Sequence, residues 1–453
     1  MKKYILIISV MVLTMVSTGT FAKVSMEEAA KLGNELTAMG AVSAGNEAGT
    51  IPAYTGGFAT DPSADPFNNP TARKIAAEAP LFIITAKNLE QYKANLSNGQ
   101  IAMFQKYPKT YTMPVYKTLR SAVFPKNIQA KAKKNATSTT LVAGGNGLNN
   151  FDETIPFVIP KNGIEIIWNH ITRYKGGSIE RNGAQLNVQV DGSFVPVKIN
   201  AVFTVPHYLA DGFDAEKDSN ILFYYMQQVK EPARLSGNVL LVHETIDQVK
   251  QPRLAWTYNS GQRRVRRAPQ IAYDAPAQAS GGLRTSDQID MYNGAPNKYD
   301  WKLIGKKEMY IPYNTYKLSD TSLKYTNIVN AGHIDQSYAR YELHRVWEVE
   351  ASLKDGERHI YGKRTFYIDE DSWQVSIADH YDTRGNLWRL AEGHIMQFIN
   401  ANTPWYALLL SYDLISGRYV AELNNEEENS FVFGKEVHHK DFTASALRRQ
   451  GIK

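Results

Sequence analysis

The stretch Arg253-Leu254-Ala255-Trp256-Thr257-Tyr258-Asn259-Ser260-Gly261-Gln262-Arg263-Arg264-Val265-Arg266-Arg267 decides how the chain folds. Leu254, Trp256 and Tyr258 alternate with Arg253, Ala255 and Thr257, and a period of two puts alternate side chains on opposite faces of a strand. Asn259-Ser260-Gly261-Gln262 supplies the positive φ that a hairpin turn requires. On the returning strand, Arg263 and Arg267 flank Val265 on one face, while Arg264 and Arg266 share the other. A pair turned inward needs a buried carboxylate or an anionic head group. A pair turned outward stays solvated or meets acids such as Glu348 and Glu350. Alternation leaves open which pair turns inward.

The same period extends in both directions. Leu186, Val188 and Val190 alternate before an Asp191-Gly192 turn into 195–205, and 221–229 and 239–246 lead into the hairpin. Beyond it, 301–311 precedes a meander from 341 to 398, turned at Lys354-Asp355-Gly356, Asp369-Glu370-Asp371 and Thr383-Arg384-Gly385-Asn386. Recurrent strand–turn–strand spacing without a strict repeat predicts one large antiparallel sheet. Ile164, Ile167, Trp168 and Ile171 form an apolar stripe, so 161–174 is predicted as a helix covering that sheet. Upstream, Ser25 caps a short helix, 40–70 is Gly- and Pro-rich and reads as extended chain lying along a larger body, and 85–96 and 100–107 read as helices. The basic, then Gly/Asn-rich run 126–150 reads as a mobile connector. Its Gly144-Gly145-Asn146-Gly147 lacks the Lys-Ser or Lys-Thr of a phosphate loop. The expected organisation is a signal peptide (1–22), an N-terminal wrapping segment (23–150) and a sheet domain (151–453).

Lys2 and Lys3, an apolar run to Val16 and Thr20-Phe21-Ala22 make a secretory leader cleaved after Ala22, which places the mature chain in an exported compartment. Zero cysteines exclude disulfides and thiolate metal sites. A formal charge of +6, two of it in the leader, falls short of a nucleic-acid binder, and a hairpin with arginines on both faces offers no continuous basic patch.

His344, His359, His380 and His394 fall on different strands without metal-ligand spacing, and read as solvated strand positions. Asp369-Glu370-Asp371 reads as a solvated turn. No Gly-x-Ser-x-Gly elbow occurs, so a hydrolase has no motif behind it. Neither a metal nor a cofactor is expected. The aromatics carry more. A large curved sheet facing few helices leaves an apolar concavity suited to apolar ligands. Trp256, Tyr258, Trp347, Phe366, Trp373 and Trp388 are its candidate wall, with Arg264 and Arg266 as candidates for a polar head group.

Several motifs resemble a known family: Ala48-Gly49-Thr50-Ile51-Pro52-Ala53-Tyr54-Thr55-Gly56-Gly57, Arg253 to Tyr258, Arg263 to Pro269, Met291-Tyr292-Asn293-Gly294-Ala295-Pro296 with Tyr299-Asp300-Trp301-Lys302, and His359-Ile360-Tyr361 through Trp373. The resemblance is to large Gram-negative periplasmic proteins of unassigned function, a domain of unknown function related to the outer-membrane lipoprotein-sorting proteins LolA and LolB. It implies an α+β, β-dominated fold, an unclosed β-barrel wrapped over helices, with a cavity for acyl chains. It also implies work beside a resistance-nodulation-division (RND) transporter of the inner membrane and an outer-membrane protein, and it carries no catalytic residues. The expected function is a non-enzymatic periplasmic carrier of a lipid or other hydrophobic molecule. The alternative is a docking protein without cargo, touching partners through the arginines, 40–70 and Glu426-Glu427-Glu428.

Overall fold

A computed structural model of the chain describes residues 24–268, 271, 273–423 and 431–452. The expected leader, Pro269 of the arginine motif and Glu426-Glu427-Glu428 lie outside the described residues. In chain order the structure has α1 (Met26–Ala29), α2 (Pro70–Ala76), β1 (Phe82–Ile84), α3 (Asn98–Lys106), β2 (Met113–Tyr116), α4 (Lys126–Ser138), β3 (Thr140–Leu141), β4 (Leu148–Asn149) and α5 (Gly163–Thr172). Then follow β5 (Ser178–Val188), β6 (Pro196–Thr204), α6 (Ala215–Asp218), β7 (Ile221–Val229), β8 (Val239–Thr245), β9 (Leu254–Asn259) and β10 (Arg264–Arg267). The remainder is β11 (Tyr299–Pro312), α7 (Tyr325–Ile328), β12 (Tyr341–Leu353), β13 (Lys363–Asp369), β14 (Val375–Tyr381), β15 (Leu387–Phe398), β16 (Thr403–Asp413), β17 (Tyr419–Leu423), β18 (Phe431–Phe433) and α8 (Ala444–Ile452).

Sixteen strands form one unclosed sheet in the order β1-β2-β12-β13-β14-β15-β16-β17-β5-β6-β7-β8-β9-β10, with β11 beside β12 and β18 beside β5. The fold is β-dominated α+β, as the alternation indicates. One pair, β2 with β12, is parallel, so the sheet is mixed rather than purely antiparallel.

Strands β13 to β16 are buried on both faces almost throughout. On one face, α3 packs against β14 and β15. On the other, Tyr292 and Trp301 set their rings on Phe366. Helix α5 lies against β11 and β12, close enough that a Cβ on Gly163 would sit 2.9 Å from the Trp301 carbonyl carbon.

This double cover overturns the solvated reading of the meander. His344, His359, His380 and His394 are all buried, as are Asp369, Glu370 and Asp371. Arg120, from the N-terminal segment, donates Nε to Asp371 Oδ2 at 2.9 Å and Nη2 to Oδ1 at 2.6 Å. Its Nη1 and Nη2 also reach the carbonyls of Ser43, Pro52 and Val42, so one guanidinium fastens the 40–70 segment to the sheet.

Two local expectations change. The segment 85–96 forms two 3-10 turns, because Asn88 Oδ1 accepts from Thr85 N at 2.7 Å and holds the chain in a turn. The expected connector 126–150 instead forms α4 and the β3–β4 hairpin. Ile128, Ala132, Asn135 and Ala136 face inward, and Asn135 Nδ2 donates to the carbonyls of Asp152, Glu153 and Ile155.

Candidate functional site

Strands β5 to β9 keep the alternation with a different outcome on each face. In register across the sheet lie Ile179–Phe203–Tyr225–Val242–Ala255 and, one row on, Arg181–Ala201–Gln227–Leu240–Thr257. Directly paired residues share a face, so these two rows make one continuous wall. On the other face of β7 to β9, Tyr224, Met226, Val239, Leu241 and Tyr258 are buried with Phe442, Ala446 and Leu447 of the C-terminal helical segment.

The wall faces a cavity of about 330 Å³, within the roughly 300–1,000 Å³ of small-molecule sites. Ala201 in its wall keeps the space open, and Phe203, Phe223, Tyr225 and Trp405 supply aromatic surface. The far side is built by the chain between β10 and β11, which returns across the sheet and contributes Ile271, Pro276, Ala277, Ile289 and Asn293. That segment is fastened along its length. Gln185 Nε2 donates to Gln278 O at 3.3 Å, Asn187 Nδ2 donates to Ala279 O, and Arg284 Nη1 donates to Glu422 Oε2 at 2.9 Å.

Charged groups line the same space. Glu422 bridges Arg181 and Arg284, and Arg284 Nη2 also donates to Gln185 Oε1 at 2.9 Å. Asp290 accepts both Nη groups of Arg173 at 2.9 and 2.7 Å, and its Oδ2 lies 3.5 Å from Lys175 Nζ. Arg253 pairs with Glu244 at 2.6 Å, with Asn293 Nδ2 on the same oxygen. Burial favours the neutral form of each acid, but the paired cations outweigh it: Glu422 is lowered to about 2, and Asp290 lies well below the usual carboxylate range. Burial also lowers the Lys175 ammonium to about 8 against the pull of Asp290.

The eight residues expected at the site lie elsewhere. Trp256 and Tyr258 are on the hairpin that walls the cavity but on its opposite face: Trp256 meets the His243 ring edge-on at 4.8 Å, and Tyr258 is buried beside α8. Thr257 and the flanking Arg253 face the space instead. Arg264 and Arg266 share the register of the cavity face, with Arg266 paired to Thr257, but they sit exposed on the edge strand. Trp347 and Trp373 stack on each other at 6.1 Å, and the Trp373 indole donates to Met39 O at 2.7 Å. Phe366 is fully buried between Tyr292 and Trp301. Trp388 donates to Asp413 and carries the Arg389 guanidinium at 4.2 Å.

Charge, rather than aromatic content, was the signal for the site. Lys175 and Arg181 flank the start of β5, and an arginine is seldom buried without a ligand or a carboxylate. His344, Asp369 and Asp371 could offer a metal one atom each within 4.8 Å. Arg120 takes both oxygens of Asp371, so that carboxylate is already charge-paired within the chain.

Comparison with known proteins places the chain. Uncharacterized protein PA3922 of Pseudomonas aeruginosa is 56% identical over 452 residues, covering 100% of this chain and 99% of that protein. Among solved structures, a DUF1329 family protein from Desulfovibrio piger shares 15% identity at a TM-score of 0.42, covering 60% of this chain and 92% of that one. LolA superfamily protein NE2245 from Nitrosomonas europaea shares 13% at a TM-score of 0.38, covering 63% and 98%. The family model described as "Protein of unknown function (DUF1329)" matches residues 83–448, and with that match the chain belongs to the DUF1329 family.

Proposed function

We propose that the protein is a non-enzymatic carrier that holds the apolar body of a lipid-like molecule between strands β5–β9 and the 273–293 crossing segment. One observation carries this reading. Beside strands β13–β16, which are buried on both faces, the same sheet leaves a cavity walled by Ala201, Phe203, Phe223, Leu240 and Val242. Leaving such surface uncovered forgoes roughly 25 cal/mol per Å² of burial, which a ligand's chain restores. The setting we propose is the periplasm, beside an RND-type transporter and an outer-membrane partner, following the resemblance of the sequence motifs.

Gentle purification, native mass spectrometry and organic extraction test the carrier. We expect a co-purifying hydrophobic molecule, lost from the Ala201→Trp variant, whose indole would fill the space. Repeatedly empty protein would sink the reading. The exposed arginines of β10 favour a second reading, a docking protein without cargo. That reading requires stable partner adducts on cross-linking in intact cells, undiminished in Ala201→Trp.

A further inference from the structure

The charges around the cavity do not balance. Arg253 and Glu244 cancel as a pair. The remaining lining groups are Lys175, Arg181 and Arg284 against Asp290 and Glu422, and Arg173 stands behind Asp290 outside the lining, so that each carboxylate is shared by two cations. Arg173, Lys175 and Arg284 are buried, and the Arg181 side chain is 19% exposed. Four cations facing two anions leave two positive charges over. Were Lys175 to lose its proton, one would still remain, because arginine does not deprotonate in proteins. The Nε of Arg284 is in addition buried without an acceptor among the described residues. Uncompensated buried charge is costly, so the site is built to receive a counter-charge from outside the chain.

We infer that the ligand is a single-chain amphiphile with an oxyanion head, a carboxylate or a phosphate monoester, seated by Arg181, Arg284 and Lys175 while its chain lies along Ala201, Phe203, Leu240 and Val242. This rests on the carrier reading and narrows it. The cations gather on the β5–β17 side, and the apolar rows run away from them across β6 to β8, so head and chain have separate places. A cationic head is repelled. A neutral head leaves the excess charge unmet.

The test uses the full mature chain, stripped of lipid, in calorimetric titrations with four probes sharing one chain: tetradecanoate, tetradecyl phosphate, tetradecanol and tetradecyltrimethylammonium. We expect at least one of the two anions to bind about 10- to 100-fold more tightly than the alcohol, the range of one or two charge-assisted hydrogen bonds. The ammonium should bind more weakly than the alcohol. Whichever anion binds more tightly identifies the head. In Arg284→Gln and Arg181→Gln the anion's advantage should fall below about threefold, with alcohol binding unchanged. Should either variant fail to fold, judged by circular dichroism, the wild-type series decides alone. Equal binding of alcohol and both anions overturns the anionic head and leaves the carrier standing. Binding of none of the four overturns both.

Discussion

Strands β13–β16 and β5–β9 belong to one sheet, yet the first group is covered on both faces and the second leaves one face on a cavity. The two groups also bury opposite excesses of charge. In the packed group, Asp379 and Glu392 are fully buried with no lysine or arginine at ion-pair distance among the described residues; Glu392 lies 3.9 Å from His394 Nε2, an imidazole that burial lowers to about 3, and burial raises the two acids to about 6 and about 7. Each can take up a proton and become neutral. In the hollow group the excess is guanidinium, which has no such escape. A buried surplus of acid is therefore compatible with a purely structural region. A buried surplus of arginine points outward, to a partner that the chain does not supply.

The largest expected effect breaks the packed group. Arg364→Met strips Asp287 of its 2.7 Å partner and leaves a buried carboxylate, so urea unfolding should show a loss of about 3–5 kcal/mol. Adding Asp287→Asn should recover much of it. A loss below about 1 kcal/mol would mean that the packed group tolerates bare charge as well as the hollow one does.

The next effect is a pH dependence. The raised Glu392 holds its proton in the fold while the unfolded chain releases it. Stability is thus greatest below the unfolded value near 4.5, falls as pH rises to about 7, and is level above that. Asp379 adds a similar fall up to about 6. Glu392→Gln should flatten the profile between pH 4.5 and 7 by about 3 kcal/mol. Parallel profiles for wild type and variant would remove protonation from the contrast.

Trp256→Ala comes third. It thins the packing under α8, for about 1–3 kcal/mol on the scale of a partly buried aromatic, while uptake of an amphiphilic probe stays as in the wild type. Reduced uptake with full stability would return Trp256 to the cavity side. Smallest of all, Arg264→Ala with Arg266→Ala should shift stability by no more than about 0.5 kcal/mol and leave probe affinity unchanged. An affinity loss would extend the cationic site to the sheet edge.

The sequence carried the hairpin, the sheet, the apolar stripe of α5 and the prospect of a cavity. Period-two alternation reports which residues share a face, but not which face meets empty space. Trp256 and Thr257 are neighbours, and the face with the larger aromatics went to α8, far downstream, whose Gly451 lies against the Tyr258 ring. Nor does alternation report a double cover. His380 and Asp379 look solvated until the 287–301 segment and α3 close over opposite faces of β14. There Gln288 Nε2 meets His380 Nε2 at 2.9 Å, and Gly99 N donates to Asp379 at 3.1 Å. The cationic site was hidden for the same reason, because Arg181, Arg284 and Glu422 come together only through strand order.

That strand order also sets a timetable. Arg181 and Glu422 are 241 residues apart in sequence, and the seam they span joins β5 to β17. Contacts this distant carry a large loop-closure cost and form slowly. A chain emerging from its amino end exposes β5 to β9, with Arg181 unmatched, well before the strand that carries Glu422 arrives. The cavity is thus among the last parts of the molecule to be completed, and until then its apolar wall is a surface that other chains can find.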